Sequence, residues 1–229
     1  MKRSRLLRWA ILLIVLAVLL ASTTGCVCGG APRASSWTGL TLQDGQIYAA
    51  DLQQVHVLGT DGELIRSIPP DPEDNTVGLI YAPPIVGEDY LIVAGQNPPR
   101  GFLSQATYPI VKLDLETGEE LWRFEEARGQ YIEGGAVADG ILVIGNSDKN
   151  VYALDVDTGD LAWQFETGHR VWATPLIVED TVYIGSMDNH LYALRLSDGE
   201  ELWKFAAPGS GAFASTPALQ DGVLYIGTF

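Results

Sequence analysis

At 229 residues the chain has room for one domain or two, and a 47% hydrophobic content is ample for a packed core, which excludes a disordered polymer. Its 29 acidic residues against 14 basic give a formal charge of −15, or −19 once the four basic residues at the extreme N-terminus are set aside with their leader. That balance repels nucleic acid and anionic lipid head groups, so neither is an expected partner.

The first segment, MKRSRLLRWAILLIVLAVLLASTTGC, has Lys2, Arg3, Arg5 and Arg8, then an apolar run from Trp9 to Ala21, then small residues before Cys26. This is the layout of a secretory signal over residues 1–25. Thr23, Thr24, Gly25 and Cys26 resemble the lipobox of bacterial lipoproteins, which implies that Cys26 is acylated and becomes the new N-terminus; an uncleaved single-helix anchor and ordinary secretion are the alternatives. All three place the remainder outside the cytoplasm. Cys26 and Cys28 are the only cysteines, so the folded part has no disulfide although its compartment is oxidising, and burial has to hold it together. The run VCGGAPRASS reads as a flexible tether to residue 36, and folded sequence begins near Trp37.

From there the chain repeats itself. VKLDLETGEELWRF (111–124), YALDVDTGDLAWQF (152–165) and YALRLSDGEELWKF (192–205) carry Gly118, Gly159 and Gly199 at spacings of 41 and 40. Each glycine is followed four positions later by Trp122, Trp163 or Trp203, and two positions beyond that by Phe124, Phe165 or Phe205. A second marker interleaves: ILVIGNSDKNVYAL, TVYIGSMDNHLYAL and, last, VLYIGTF, with Pro175 and Pro217 ten residues ahead of the glycine in the last two. Each unit therefore holds four short apolar segments separated by turn chemistry.

Four antiparallel strands per unit of about 40 residues is the plan of a β-propeller blade, so the predicted fold is all-β. Stacked blades bury both faces of their middle strands, and Leu91–Ala94, Ile141–Ile144 and Val182–Ile184 supply the continuous apolar runs this requires. A β-sandwich would need no fixed period, whereas a stacked solenoid stays open as an alternative. The register gives blades at about 37–69, 78–126, 131–167 and 171–207, and a half blade at 213–229. Blade one has a degenerate marker, GTDGELIRSI, with Arg66 in place of the Trp, and blade two carries an insertion, QNPPRGFLSQATYP. About four and a half blades leave unpaired strand edges, so the expectation is a chain cut short at its C-terminus and a native ring of seven or eight blades.

The pattern A-x-D-x-x-T-G-x-x-x-W at Ala153, Asp155, Thr158, Gly159 and Trp163 resembles the repeat of pyrroloquinoline-quinone-type propellers. The resemblance implies a blade-docking role for Trp122, Trp163 and Trp203 and for Gly118, Gly159 and Gly199. Of the family's two branches, the chain is similar to the non-catalytic one that contains the lipoprotein subunit of the outer-membrane β-barrel assembly machinery. The other branch, quinoprotein dehydrogenases, implies the quinone and calcium as cofactors and a vicinal disulfide; no vicinal cysteines occur here.

Asp155, Asp157 and Asp160 around Gly159 invite a calcium-loop reading, but an EF-hand needs its glycine sixth and here Gly159 stands fifth. The sister copies replace Asp155 by Asp114 and Arg195, and no cation site survives an arginine, so these acids are expected to bond backbone N–H groups of a tight turn. His56, His169 and His190 fall at different phases of the repeat, which excludes a metal site of repeated design. Catalytic residues and bound metal are therefore expected to be none. The segments leading into each blade vary most and present Tyr81, Tyr131, Arg170, Trp172 and Phe213, aromatic and arginine side chains of the type that anchors interfaces; packing of these rings between blades is the alternative. The expected function is an extracytoplasmic, lipid-anchored scaffold binding a protein or peptide partner in the cell envelope. A quinoprotein dehydrogenase fragment and the sensor part of a larger envelope protein are the alternatives.

Overall fold

The computed structural model describes residues 39–99, 101, 103–209 and 211–228. The leader, Cys26 and the tether lie outside them. Strands form wherever β-branched and aromatic residues run between Gly, Asp and Asn turns. Blade one consists of β1 (Leu40–Gln43), β2 (Gln46–Ala50), β3 (Val55–Gly59) and β4 (Leu64–Ile68), paired antiparallel in chain order.

In blade two the innermost strand is split by Pro83 and Pro84 into β5 (Leu79–Ile80) and β6 (Ile85–Val86), because proline has no N–H for the ladder. Both pieces pair with the same edge of β7 (Tyr90–Gln96), and β8 (Ile110–Asp114) and β9 (Glu120–Phe124) complete the sheet. Blade three is β10 (Ala136–Ala138), β11 (Ile141–Gly145), β12 (Asn150–Asp155) and β13 (Leu161–Glu166). Blade four is β14 (Leu176–Val178), β15 (Thr181–Gly185), β16 (His190–Arg195) and β17 (Glu201–Ala206), and β18 (Ala218–Gln220) with β19 (Val223–Tyr225) forms a two-stranded unit. Asp139–Gly140, both at positive φ, close the first hairpin of blade three as the Asp-Gly signal requires.

One irregularity recurs in all four blades. The third and fourth strands slip register between Val57/Leu58, Lys112/Leu113, Ala153/Leu154 and Ala193/Leu194. The bulge sets the residue opposite Lys112, Ala153 and Ala193, which is Trp122, Trp163 and Trp203 in turn. Opposite Val57 stands Arg66.

The core lies between sheets. Val55, Val57 and Ile68 of blade one pack with Leu91, Val93 and Val111 of blade two; Ile92, Ile110 and Trp122 pack with Leu142, Ile144 and Leu154 of blade three; Val143, Val151 and Trp163 pack with Val182, Ile184 and Leu194 of blade four. The middle strands of blades two and three, β7, β8, β11 and β12, thus each give residues to two cores, as an unbroken apolar run predicts. The indoles fasten these layers. Trp122 Nε1–H donates to the Val156 carbonyl at 2.8 Å and Trp163 Nε1–H to the Leu196 carbonyl at 2.7 Å, each across to the next blade. A Cβ on Gly159 would fall 2.6 Å from the Trp122 ring, and one on Gly199 2.6 Å from that of Trp163, so only glycine lets the ring sit there. Lys112 reinforces the same joint, its Nζ donating to the Val156 carbonyl at 3.1 Å with the Tyr90 ring 4.4 Å away.

A second clasp was not singled out in the sequence. Asp188, in the turn after β15, accepts bonds from Tyr192 Oη (2.6 Å), the His190 N–H (3.0 Å) and the N–H of Gly168 in the segment arriving from blade three (2.7 Å). Asp148 does the same one blade earlier with Tyr152, Asn150 and Arg128. Burial pushes the Asp188 carboxyl up, but the Tyr192, Gly168 and His190 donors outweigh it and hold the group below its ordinary 3.8.

Two outcomes follow for urea unfolding. Trp163→Phe should cost about 1 kcal/mol for the lost donor and Trp163→Ala about 3–5 kcal/mol for the cavity, while Trp203→Phe should cost under about 0.5 kcal/mol; equal effects at the two positions would refute the docking role. The folded Asp188 value lies below the unfolded one, so its stabilisation is complete above 3.8 and disappears as pH falls through the lower folded value. Asp188→Asn should therefore destabilise the protein at pH 7 and come closer to the parent's stability as pH falls below 3.8, and a gap that stays constant as pH falls would contradict the clasp.

Candidate interaction surface

The segments entering the blades converge towards one another. Thr41 Oγ1 donates to the Pro84 carbonyl at 2.5 Å, and a Cβ on Gly39 or Gly134 would meet Pro83 at 2.7 and 3.6 Å respectively. Blades one, two and three therefore bring their entry segments to a common place around Pro83.

Two of the five aromatic or basic residues expected to face a partner are instead interior. Tyr131 and Phe213 are each only 2% exposed, Tyr131 within the core between blades two and three and Phe213 beside Leu191 and Ala207. The reason is positional: both stand four residues ahead of the first-strand Gly135 or Pro217, the phase that carries Ile80 ahead of Pro84 and Val171 ahead of Pro175. Ile80 and Val171 are buried as well, and Gly145 and Gly185 approach Val171 and Phe213 so closely that a Cβ would fall 2.4 and 2.6 Å from them. This phase packs blade on blade. Burial, then the neighbouring Tyr152 and Asp148, pushes the Tyr131 hydroxyl far above its usual range, so it stays neutral.

The other three residues remain at the surface. Arg170 is exposed and Trp172 half-buried, and the structure brings them together, with the guanidinium carbon 5.8 Å from the indole centroid. Trp172 Nε1–H donates to Ser147 Oγ of blade three at 2.9 Å, which fixes the indole, and the Arg170 carbonyl accepts from the Met187 N–H at 2.9 Å, which fixes the backbone that carries the guanidinium. Tyr81, also half-buried, occupies the Trp172 phase in blade two, and no ring contact or hydrogen bond joins it to that pair among the described residues. The pair is an amphipathic element on a fixed backbone, able to stack on a partner's apolar or planar group and to donate hydrogen bonds from Arg170.

The acidic turns are structural. Asp155 Oδ1 accepts from the N–H groups of Asp157 (2.9 Å) and Thr158 (2.8 Å), and Asp114 Oδ1 from those of Glu116 (3.0 Å) and Thr117 (2.7 Å). In the third copy Arg195 takes the Asp position and Asp198 accepts from the Glu200 N–H instead. No group of three or more His, Cys, Asp or Glu residues converges as a metal site among the described residues.

The docking glycines and tryptophans are placed as a set with one exception. Gly118 lies against Ile68 of blade one, Gly159 under Trp122 and Gly199 under Trp163. Trp203 holds the equivalent register but is 41% exposed, and its ring lies beside Tyr183 of its own blade at 5.8 Å; β18 and β19 offer it no outer strand among the described residues.

Among solved structures, BamB from Moraxella catarrhalis superposes with a TM-score of 0.67 at 18% identity over 83% of this chain and 58% of that one. The computationally designed Ika8 protein gives 0.64 at 16% identity over 82% of this chain and 54% of its own, and the designed Ika4 protein 0.52 at 16% over 65% and 84%. The chain thus spans little more than half the length of the first two. These likenesses show the β-propeller fold; no curated protein matches the sequence. The family described as outer membrane protein assembly factor BamB matches residues 108–228, the stretch holding the Trp–Gly joints, and the chain belongs to that family.

Proposed function

We propose that this propeller is a non-catalytic scaffold of the bacterial cell envelope that binds a protein or peptide partner, in outer-membrane protein assembly, and that acylated Cys26 ties it to the membrane. The observation that carries the reading is the Arg170–Trp172 pair, an exposed cation on a half-buried indole fixed by the Ser147 and Met187 bonds, in a chain of the assembly-factor family. An indole already held in place, as Trp172 is by Ser147, loses little entropy on binding, which is what an interface anchor requires. Membership of the assembly-factor family and the leader ending at Cys26 both support an envelope location. The acidic body favours a solvated position off the anionic membrane surface and a partner other than nucleic acid. On this reading neither quinone nor calcium is needed.

The test is recovery of partners with the tagged full chain from envelope membranes, identified by mass spectrometry. Arg170→Ala with Trp172→Ala should lower recovery of a β-barrel assembly component at least tenfold, about 1.4 kcal/mol, while the far-ultraviolet spectrum stays that of the parent. Undiminished recovery by the folded double variant would place the binding surface elsewhere.

A further inference from the structure

The joint between blades one and two departs from the other two. Register puts Arg66 where blades two and three carry their indoles, and the partner glycine, Gly118, has the same backbone as Gly159 and Gly199, with φ of 75° against 78° and 74°. Over Gly159 and Gly199 an indole presses at 2.6 Å from a notional Cβ; over Gly118 the nearest atoms are Ile68 Cγ2 at 3.3 Å and Pro69 Cα at 3.8 Å. Beside these atoms, between Arg66 and Gly118, lies an open cleft of about 290 Å³ whose lining includes Arg66, Ile68, Pro70, Glu116, Thr117 and Gly118, near the lower limit of the range for ligand sites, about 300 Å³ and upward.

We propose that this cleft receives an indole side chain from a protein or peptide partner, completing in trans the joint that Trp122 and Trp163 complete in cis. The proposal rests on the scaffold reading above for the kind of partner, and on the chain's own repeats for the chemistry. In the filled joints the indole N–H goes to the carbonyl of the residue after the third strand, Val156 or Leu196; the counterpart is Leu115, whose carbonyl no donor reaches among the described residues. The apolar floor is Ile68, Pro70 and Gly118. The wall is the Arg66 guanidinium, which among the described residues donates only to the Glu116 carbonyl, at 3.5 Å, and can stack on an aromatic face. An anionic ligand is disfavoured although Arg66 is cationic, because the carboxylates of Asp114 and Glu116 stand beside it.

The experiment follows backbone amides of the full chain in detergent by nitrogen-15 NMR. N-acetyltryptophanamide should shift Gly118 and Ile68 saturably with a dissociation constant of about 1 mM, whereas N-acetylleucinamide and inorganic phosphate should leave them in place. Arg66→Trp, which supplies the ring from within, should abolish the shift and raise the melting temperature by about 2–4 °C. The proposal is overturned if the tryptophan amide moves neither residue, if the leucine amide or phosphate moves them as much, or if Arg66→Trp binds undiminished. Should Arg66→Trp fail to fold, the comparison of the three probes on the unaltered chain decides alone. Partner recovery with Arg170→Ala and Trp172→Ala leaves this cleft intact, so the scaffold reading and the indole site fail separately.

Discussion

The contact on which the structure depends is an indole laid on a glycine of the next blade with its N–H on that blade's carbonyl. A four-stranded blade has two apolar faces and cannot bury either alone, so the hydrophobic gain exists only between blades. The Trp–Gly joint sets how closely two sheets approach and how they are turned. Without a Cβ at Gly159 or Gly199 the ring sinks onto backbone, and the carbonyl beneath fixes its orientation. The bulge repeated in every blade aims the ring. The Asp148 and Asp188 clasps then bind the segments entering blades three and four to the hairpins beyond them, so each of these blades is tied to its predecessor at two places as well as packed.

Such a frame leaves function to what the joints do not consume. Several of the perturbed carboxylates are spent on turns and clasps: Asp155 and Asp114 on backbone N–H groups, Asp188 on Tyr192 and Gly168. Under the proposed scaffold function, Arg170 with Trp172 would serve as an anchor presented outward and the cleft beside Arg66 as the receptor of a partner's anchor. Both arise by small departures from the repeat, a stacked arginine in one loop and an arginine for a tryptophan in one strand, which is how a repetitive scaffold acquires specificity at little cost to its fold.

The blade plan was legible because its signals are periodic: glycines 41 and 40 apart, each with its Trp four residues on, survive any uncertainty about single strands. The acidic turns were legible for the same reason, since Arg195 in one copy denies a cation role to Asp155 in another. The same comparison, carried to the entry segments, would have removed Tyr131 and Phe213 from the candidate face, because Ile80 and Val171 share their phase and an all-apolar phase is a core position. What no comparison could reveal is volume. Arg66 was visible as a departure from the marker, but whether its neighbours close over Gly118 or leave a cleft depends on how Ile68, Pro69 and Pro70 turn at the end of β4. The split inner strand of blade two was likewise hidden, although Pro83 and Pro84 mark the place.

The joint itself is tested most directly by a double-mutant cycle of Trp163→Ala and Gly199→Ala, with stability read from urea unfolding. Gly199 sits at positive φ, so its replacement costs about 1 kcal/mol in any background. With Trp163 present the new methyl also meets the ring, and the added cost should vanish when the ring is removed, giving a coupling of about 1–3 kcal/mol. If Gly199→Ala costs the same with and without Trp163, the indole does not set the spacing of the blades and the account fails at its centre.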